Sequence, residues 1–149
     1  MAVERTLVLC KPDAVQRGLT GSVIGRFERK GLKLVGLKML RVGEDLASRH
    51  YAEHLEKGFY SALRGFITSS PIVAMAIEGE NAVEIVRTLI GATNPQAADP
   101  GTIRGDFGLD LTMNLVHGSD SLESAKRELA LFFSSDELHD YDLTMKVWM

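Results

Sequence analysis

With 149 residues, 45% of them hydrophobic and 25% charged, the chain suits one compact domain over 1–149 with a substantial core and needs no second. A net charge of −3 gives no global attraction for polyanions. It argues against sequence-specific nucleic-acid binding and confines any phosphate recognition to a pocket with a few placed cations.

The longest apolar run, Ile72 to Ile77, is far too short to cross a bilayer, and Glu4 and Arg5 interrupt any secretory-type start. Its single Cys10 lies in the apolar run from Leu7, which rules out an intramolecular disulfide and fits a reducing, cytoplasmic location without membrane partners.

Thr6 to Lys11 predicts a first strand, ended by Pro12, whose missing N–H suits a turn or a helix entry. Thr20 to Lys30 predicts a helix with Val23, Ile24 and Phe27 on one face and Gly31 as its stop. In Leu34 to Val42, Val35, Leu37 and Met39 alternate with charge, the period of a half-covered strand. Two helices follow around Gly58: Asp45 to Leu55, with Ala47, Tyr51 and Leu55 at one-turn spacing, and a stripe of Phe59, Leu63, Phe66 and Ile67.

Ile72 to Ile77 reads as a fully buried strand, and Asn81 with Glu84 opens a helix that presents Val83, Val86 and Ile90 before Gly91. Ala92 to Gly108 is rich in Gly, Pro, Asn and Asp without clear periodicity, a long loop of the kind that is usually functional. Leu111 to His117 returns to strand. Ser121 to Phe133 is helical, with Leu122, Ala125, Leu129, Phe132 and Phe133 on one face, and Asp136 to Met149 is irregular. The order is βαβ, a helical hairpin, then βαβ, an α+β arrangement whose strand order periodicity alone does not give.

The run Asn114-Leu115-Val116-His117-Gly118-Ser119-Asp120 ends an apolar strand on an imidazole. Gly118 permits a tight turn there, and Asp120 with Glu123 has the spacing of a capping box, so a helix N-terminus able to hold an anion is expected beside the ring. A neutral imidazole, with an ordinary pKa near ~6.5, is a competent nucleophile near neutrality.

Further elements accompany it in order: Arg5-Thr6-Leu7, Lys11-Pro12-Asp13, Val15-Gln16-Arg17-Gly18-Leu19, Leu34-Val35-Gly36-Leu37-Lys38, Arg87, Thr93-Asn94-Pro95 and Pro100 to Phe107. With the Asn-x-x-His-Gly-Ser-Asp signature, the chain resembles nucleoside diphosphate kinase nearly end to end.

That resemblance implies a ferredoxin-like sandwich, a four-stranded antiparallel sheet covered by helices, with the inserted helical hairpin as one wall of a nucleotide cleft. It implies transfer of the γ-phosphate of a nucleoside triphosphate to a nucleoside diphosphate by ping-pong through phospho-His117. Lys11, Arg87 and Arg104 are then expected on the phosphates, Thr93 as a hydroxyl donor and Tyr51 holding Lys11 or the network around it. Glu128 would orient the ring and Ser119 would support it.

The base would stack on Phe59 and Leu111, with Leu63 beside them, and Asn114 with Lys11 would reach the sugar. Magnesium would be held mainly by the nucleotide, without a protein metal cage. Homo-oligomers are implied, a hexamer rather than a tetramer, joined through the Ala92 to Gly108 loop. The chain departs from many relatives at Gly58, where proline is common, a change expected to loosen the cleft wall.

Plainer readings stand beside these. His117 alone reads as a satisfied structural histidine, Arg87 as a cation favouring its helix dipole, Arg104 as an ion pair with Asp106, Lys11 as a solvated strand end, and Phe59 and Leu63 as core. His50 and His54 lie one turn apart, as zinc ligands can, but no third ligand is evident in sequence. Asp106-Phe107-Gly108 lacks the other protein-kinase motifs, and no Gly-x-x-x-x-Gly-Lys run exists. The alternative function is a regulatory module that binds nucleotide without turnover.

Overall fold

Two apolar runs, Leu7 to Cys10 and Ile72 to Ile77, form the middle of a sheet covered on both faces, which is why they are continuous rather than alternating. The computed structural model describes residues 2–149. Its elements are β1 (Val3–Cys10), α1 (Pro12–Gln16), α2 (Thr20–Lys30), β2 (Lys33–Leu40), α3 (Glu44–His50), α4 (Tyr60–Thr68), β3 (Ile72–Glu80), α5 (Ala82–Ile90), α6 (Ile103–Phe107), β4 (Val116–Gly118) and α7 (Leu122–Phe132). Short 3-10 segments lie at Ala52–His54, Pro95–Ala97, Ser135–Glu137 and Thr144–Trp148.

The four strands are antiparallel in the order β2-β3-β1-β4, a ferredoxin-like sandwich with α3 and α4 inserted between β2 and β3. Alternation divides β1 between two cores. Val8 and Cys10 join Phe27, Val86 and Ile90 on the α2 and α5 side, whereas Leu7 and Leu9 join Ala47, Ile67, Leu129 and Phe132 on the side of α3, α4 and α7. β4 pairs with the last residues of β1, which sets His117 opposite Leu9 at the open edge of the sheet.

Several expected elements change. A β-bulge between Leu34 and Gly36 reverses the alternation in β2, so Val35 stays buried while Leu37 and Met39 turn outward, 53% and 63% exposed. The Val35 carbonyl accepts the His139 N–H at 2.8 Å, fastening the tail across the strand. The helix expected through Leu55 ends at His50, because Tyr51 leaves helical geometry, and Leu55 is exposed.

The strand expected from Leu111 shrinks to Val116–Gly118. Asp110 Oδ1 accepts the N–H groups of Thr112 and Met113 in a turn, and Leu115 has φ 75, incompatible with a strand. The last helix is capped by Ser121, whose Oγ accepts the Ser124 N–H at 3.0 Å, in place of the Asp120 and Glu123 box. Asn81 does open α5, in the left-handed region at φ 53, while the Val83 N–H is taken by Glu4 Oε1.

Residues 92–108 carry more structure than their sequence pattern suggests. They contain α6, five residues and so too short to display a period, where Thr102 Oγ1 accepts the Gly105 N–H at 3.0 Å. A Cβ at Gly105 would lie 2.0 Å from the Asp99 carbonyl oxygen, a backbone atom that cannot move aside. Gly105→Ala should therefore cost about 3 kcal/mol and lower Tm by about 10 °C in thermal unfolding. Gly21→Ala, which meets nothing within 4 Å in α2, serves as the control and should leave Tm unchanged or higher.

Candidate active site

The chain's unusual backbone at residues 114–115 builds the floor of the site. Leu115 holds its positive φ because its N–H donates to Asp13 Oδ2 at 3.0 Å and its carbonyl accepts the Lys11 N–H at 2.9 Å. Buried Asn114 is thereby turned so that its Oδ1 accepts from Lys11 Nζ at 2.7 Å and its Nδ2 donates to the Thr93 carbonyl at 3.0 Å. Arg104, 7% exposed, ties the same segment down by donating to the carbonyls of Asn114, Val116 and Gly91. It does not pair with Asp106, which takes Arg26 at 2.6 Å.

His117 follows in β4, with Gly118 beside it. The glycine makes no turn there. A Cβ would stand 2.7 Å from Ile90 Cδ1, so its absence lets α5 approach, and Arg87 Nη1 in the last turn of α5 donates to the Gly118 carbonyl at 3.2 Å.

His117 Nε2 lies 2.9 Å from Glu128 Oε1 on α7, and Ser119 Oγ donates to the same oxygen at 2.6 Å. Arg127 stands 3.6 Å from Oε2. Burial alone would raise the Glu128 carboxyl, but the bond and charge of His117 and the Ser119 hydroxyl outweigh it and hold the group down near about 2. An ionised carboxylate only accepts, so Nε2 carries the ring proton in the neutral imidazole and Nδ1 keeps its lone pair.

A cleft of about 280 Å³ gathers Lys11, Tyr51, Arg87, Thr93, Arg104, Asn114, His117 and Glu128. Its cations crowd one another. Burial and Arg104 push Lys11 down to about 8, partly offset by Asp13, and burial and Arg87 push Arg104 down to about 10. An anion is the natural relief for such a field.

Of the remaining expected residues, Ser119 lies beneath the cleft behind Glu128, and Phe59, Leu63 and Leu111 are outside its lining. Phe59 sits at the rim, 50% exposed, its ring 5.2 Å from that of His54, while Leu111 is 58% exposed. Tyr51 borders the cleft without a hydrogen bond to Lys11, and its ring meets that of His50 at a tilt of 57°, centroids 4.7 Å apart.

The cleft also contains His50, Glu53, His54, Asp120, Ser124 and Arg127. In the sequence, the one-turn spacing of His50 and His54 suggests only a zinc pair. No period in the sequence signals that α3 places His50 against His117, their ring centroids 4.7 Å apart. Asp13 and Arg127 stood next to recognised residues, but their contacts exist only after folding.

The family model of nucleoside diphosphate kinase matches residues 4–138. This chain belongs to that family. A nucleoside diphosphate kinase of Archaeoglobus fulgidus is 60% identical over 147 residues, spanning 99% of this chain and 97% of its own. One of Pelotomaculum thermopropionicum is 57% identical, spanning 99% of both. Among solved structures, a halophilic nucleoside diphosphate kinase from Halobacterium salinarum in complex with CDP superposes with a TM-score of 0.96 at 54% identity, covering 99% of this chain and 98% of that one. The nucleoside diphosphate kinase reaction is γ-phosphate transfer from a nucleoside triphosphate to a nucleoside diphosphate through a phosphohistidine.

The depressed carboxyl of Glu128 couples folding to pH. A folded-state value lowered from 4.5 to about 2 contributes stability that is present above 4.5 and is lost as the pH falls toward about 2. Denaturant titrations of the kinase and of Glu128→Gln should differ by on the order of 2 kcal/mol at pH 7 and converge near pH 2. A gap that stays constant across that window would refute the assignment.

Proposed function

We propose that His117 is the group on which the kinase carries the phosphoryl between nucleotides, attacking through Nδ1. The observation that carries this reading is the 2.9 Å contact of Nε2 with Glu128, which fixes the tautomer and leaves the other nitrogen's lone pair free. Ser119 holds the carboxylate, and Glu128 in turn positions the ring, so both are positioning residues.

Lys11, Arg87 and Arg104 steady the equatorial oxygens, whose charge spreads as the phosphoryl moves. Thr93 adds a hydroxyl on the phosphate side, and Tyr51 walls the cleft beside His50. Asn114 and Lys11, already bonded to each other, meet the sugar. Phe59 at the rim, with Leu63 and Leu111, takes the base by stacking, which tolerates any base.

The donor chemistry of the cleft fits a magnesium ion brought in on the nucleotide. Its carboxylates do not converge as an oxygen cage for magnesium, since only Glu128 is buried and the other lining carboxylates, Glu53 and Asp120, are exposed. Such an ion would bind through phosphate oxygens and water and neutralise part of their charge.

The domain spans 1–149 and works in the cytoplasm. No helix among the described residues is long and apolar enough to cross a membrane. The exposed Leu37 and Met39 on edge strand β2, and Leu109 after the 92–108 segment, support self-association. The assembly is a hexamer, so light scattering should return six times the 16.4 kDa chain mass, and a four-fold mass would mean a tetramer instead.

Incubation with ATP alone tests the chemistry. An acid-labile phosphoryl adduct should form with release of ADP, as expected of a two-step transfer and not of a regulatory module that only binds. His117→Asn should abolish the adduct while circular dichroism stays unchanged. Undiminished turnover in that variant excludes the assignment.

A further inference from the structure

His50 has no part in the transfer proposed above, yet it meets His117 edge to face. It ends α3 with only 5% of its surface exposed, walled by Tyr51 and Phe132, and its Nδ1 is buried without a hydrogen-bond partner. A polar nitrogen left unmatched in the interior is costly, so a ligand that supplies a partner is favoured there.

One ring nitrogen from each of His50 and His117 and one carboxylate oxygen of Glu128 lie within 4.8 Å of one another. Two imidazoles and a carboxylate are the protein donors of three-ligand zinc sites, in which the fourth position stays open to water. All three side chains line the cleft, which supplies both the entry path and that fourth position. His117 Nε2 and Glu128 Oε1 are already 2.9 Å apart. His50 needs to close by only on the order of 1 Å to complete a tetrahedral shell.

The geometry points to a regulatory cation site, made by His50, His117 and Glu128 in the nucleotide-free cleft, for a borderline transition metal of the zinc class. Two nitrogen donors discriminate against magnesium, which prefers oxygen and keeps its water, so this site is separate from an ion carried by nucleotide. The sequence spacing pairs His50 with His54. In the fold the partners of His50 come from β4 and α7 instead.

Occupancy has a defined effect on His117. The metal–Nε2 bond replaces the Nε2–H bond, and the proton moves to Nδ1, with no net proton loss and no redox change. Nδ1 then lacks the lone pair that attack on phosphorus requires. This inhibitory consequence rests on the role proposed for His117, whereas the metal site does not.

The test uses the full nucleotide-free chain with ring-nitrogen-labelled histidines, titrated with zinc chloride. One ion should bind per chain, moving the resonances of His50 and His117 and leaving those of His54 and His139 in place. His117 Nδ1 should pass from pyridine-type to pyrrole-type, and cobalt in place of zinc should give the visible absorption of a tetrahedral centre.

His50→Gln should weaken zinc binding at least ten-fold, and His54→Gln should leave it unchanged. Shifts at His54 or His139 in place of His50, or no saturable binding, overturn the site. So does equal affinity in folded His50→Gln. If that variant does not fold, the ring shifts of the unsubstituted protein decide. Binding with Nδ1 still pyridine-type overturns the inhibitory consequence alone, and absence of a phosphoryl adduct without zinc removes the role of His117 while leaving the site intact.

Discussion

A buried carboxylate survives in a protein only when its charge and lone pairs are used, and Glu128 meets that condition through His117 and Ser119 on one oxygen and Arg127 near the other. This one group joins α7 to β4 and sets which nitrogen of the imidazole carries the proton. The packing of α7 on the sheet and the tautomer of the ring thereby depend on the same bond. Removing the carboxylate would free the ring to rotate and leave the Ser119 hydroxyl buried without its acceptor.

The second constraint is the gathering of positive charge in a chain that is negative overall. Asp106 neutralises Arg26, and Glu78 neutralises Arg5 and Lys33, but Lys11, Arg87 and Arg104 are turned to amide and backbone oxygens. These neutral acceptors orient the cations without cancelling their charge. Burial, joined by Arg104 at Lys11 and by Arg87 at Arg104, accordingly pushes both groups down. The cleft thus keeps a concentrated positive field in a chain whose net charge is negative.

What the sequence made legible divides along physical lines. Helix α2 was readable because its apolar period and its Gly31 stop are local, and β3 because six buried residues form one run. The bulge in β2 was not, since the alternation of Val35, Leu37 and Met39 is reversed by an added residue that leaves no local mark. The strand before His117 misled for a related reason: its apolar residues are buried, but Leu115 is held left-handed by Asp13, about a hundred positions away. Lys11, Arg87, Arg104, Asn114, His117 and Glu128 were legible as a motif and do converge on one cleft. His50 was visible as a residue yet not as a neighbour of His117, because that proximity belongs to the packing of α3 on α7.

The irregularity of residues 110–118 is itself part of how the site is made. A longer β4 would point successive side chains to opposite faces, leaving Asn114 and His117 on different sides of the sheet. The turn at Asp110 and the left-handed Leu115 break that alternation and bring both residues to the same cleft. A three-residue edge strand is weakly held by its ladder alone, so Arg104 grips the segment at the Asn114 and Val116 carbonyls while bonded to Gly91, and the Asp13 carboxylate holds the Leu115 N–H. Arg104 is accordingly both a tie for the strand and one of the cations of the cleft. A substitution there removes charge and floor together, so its effects on the strand and on the cleft are coupled rather than additive.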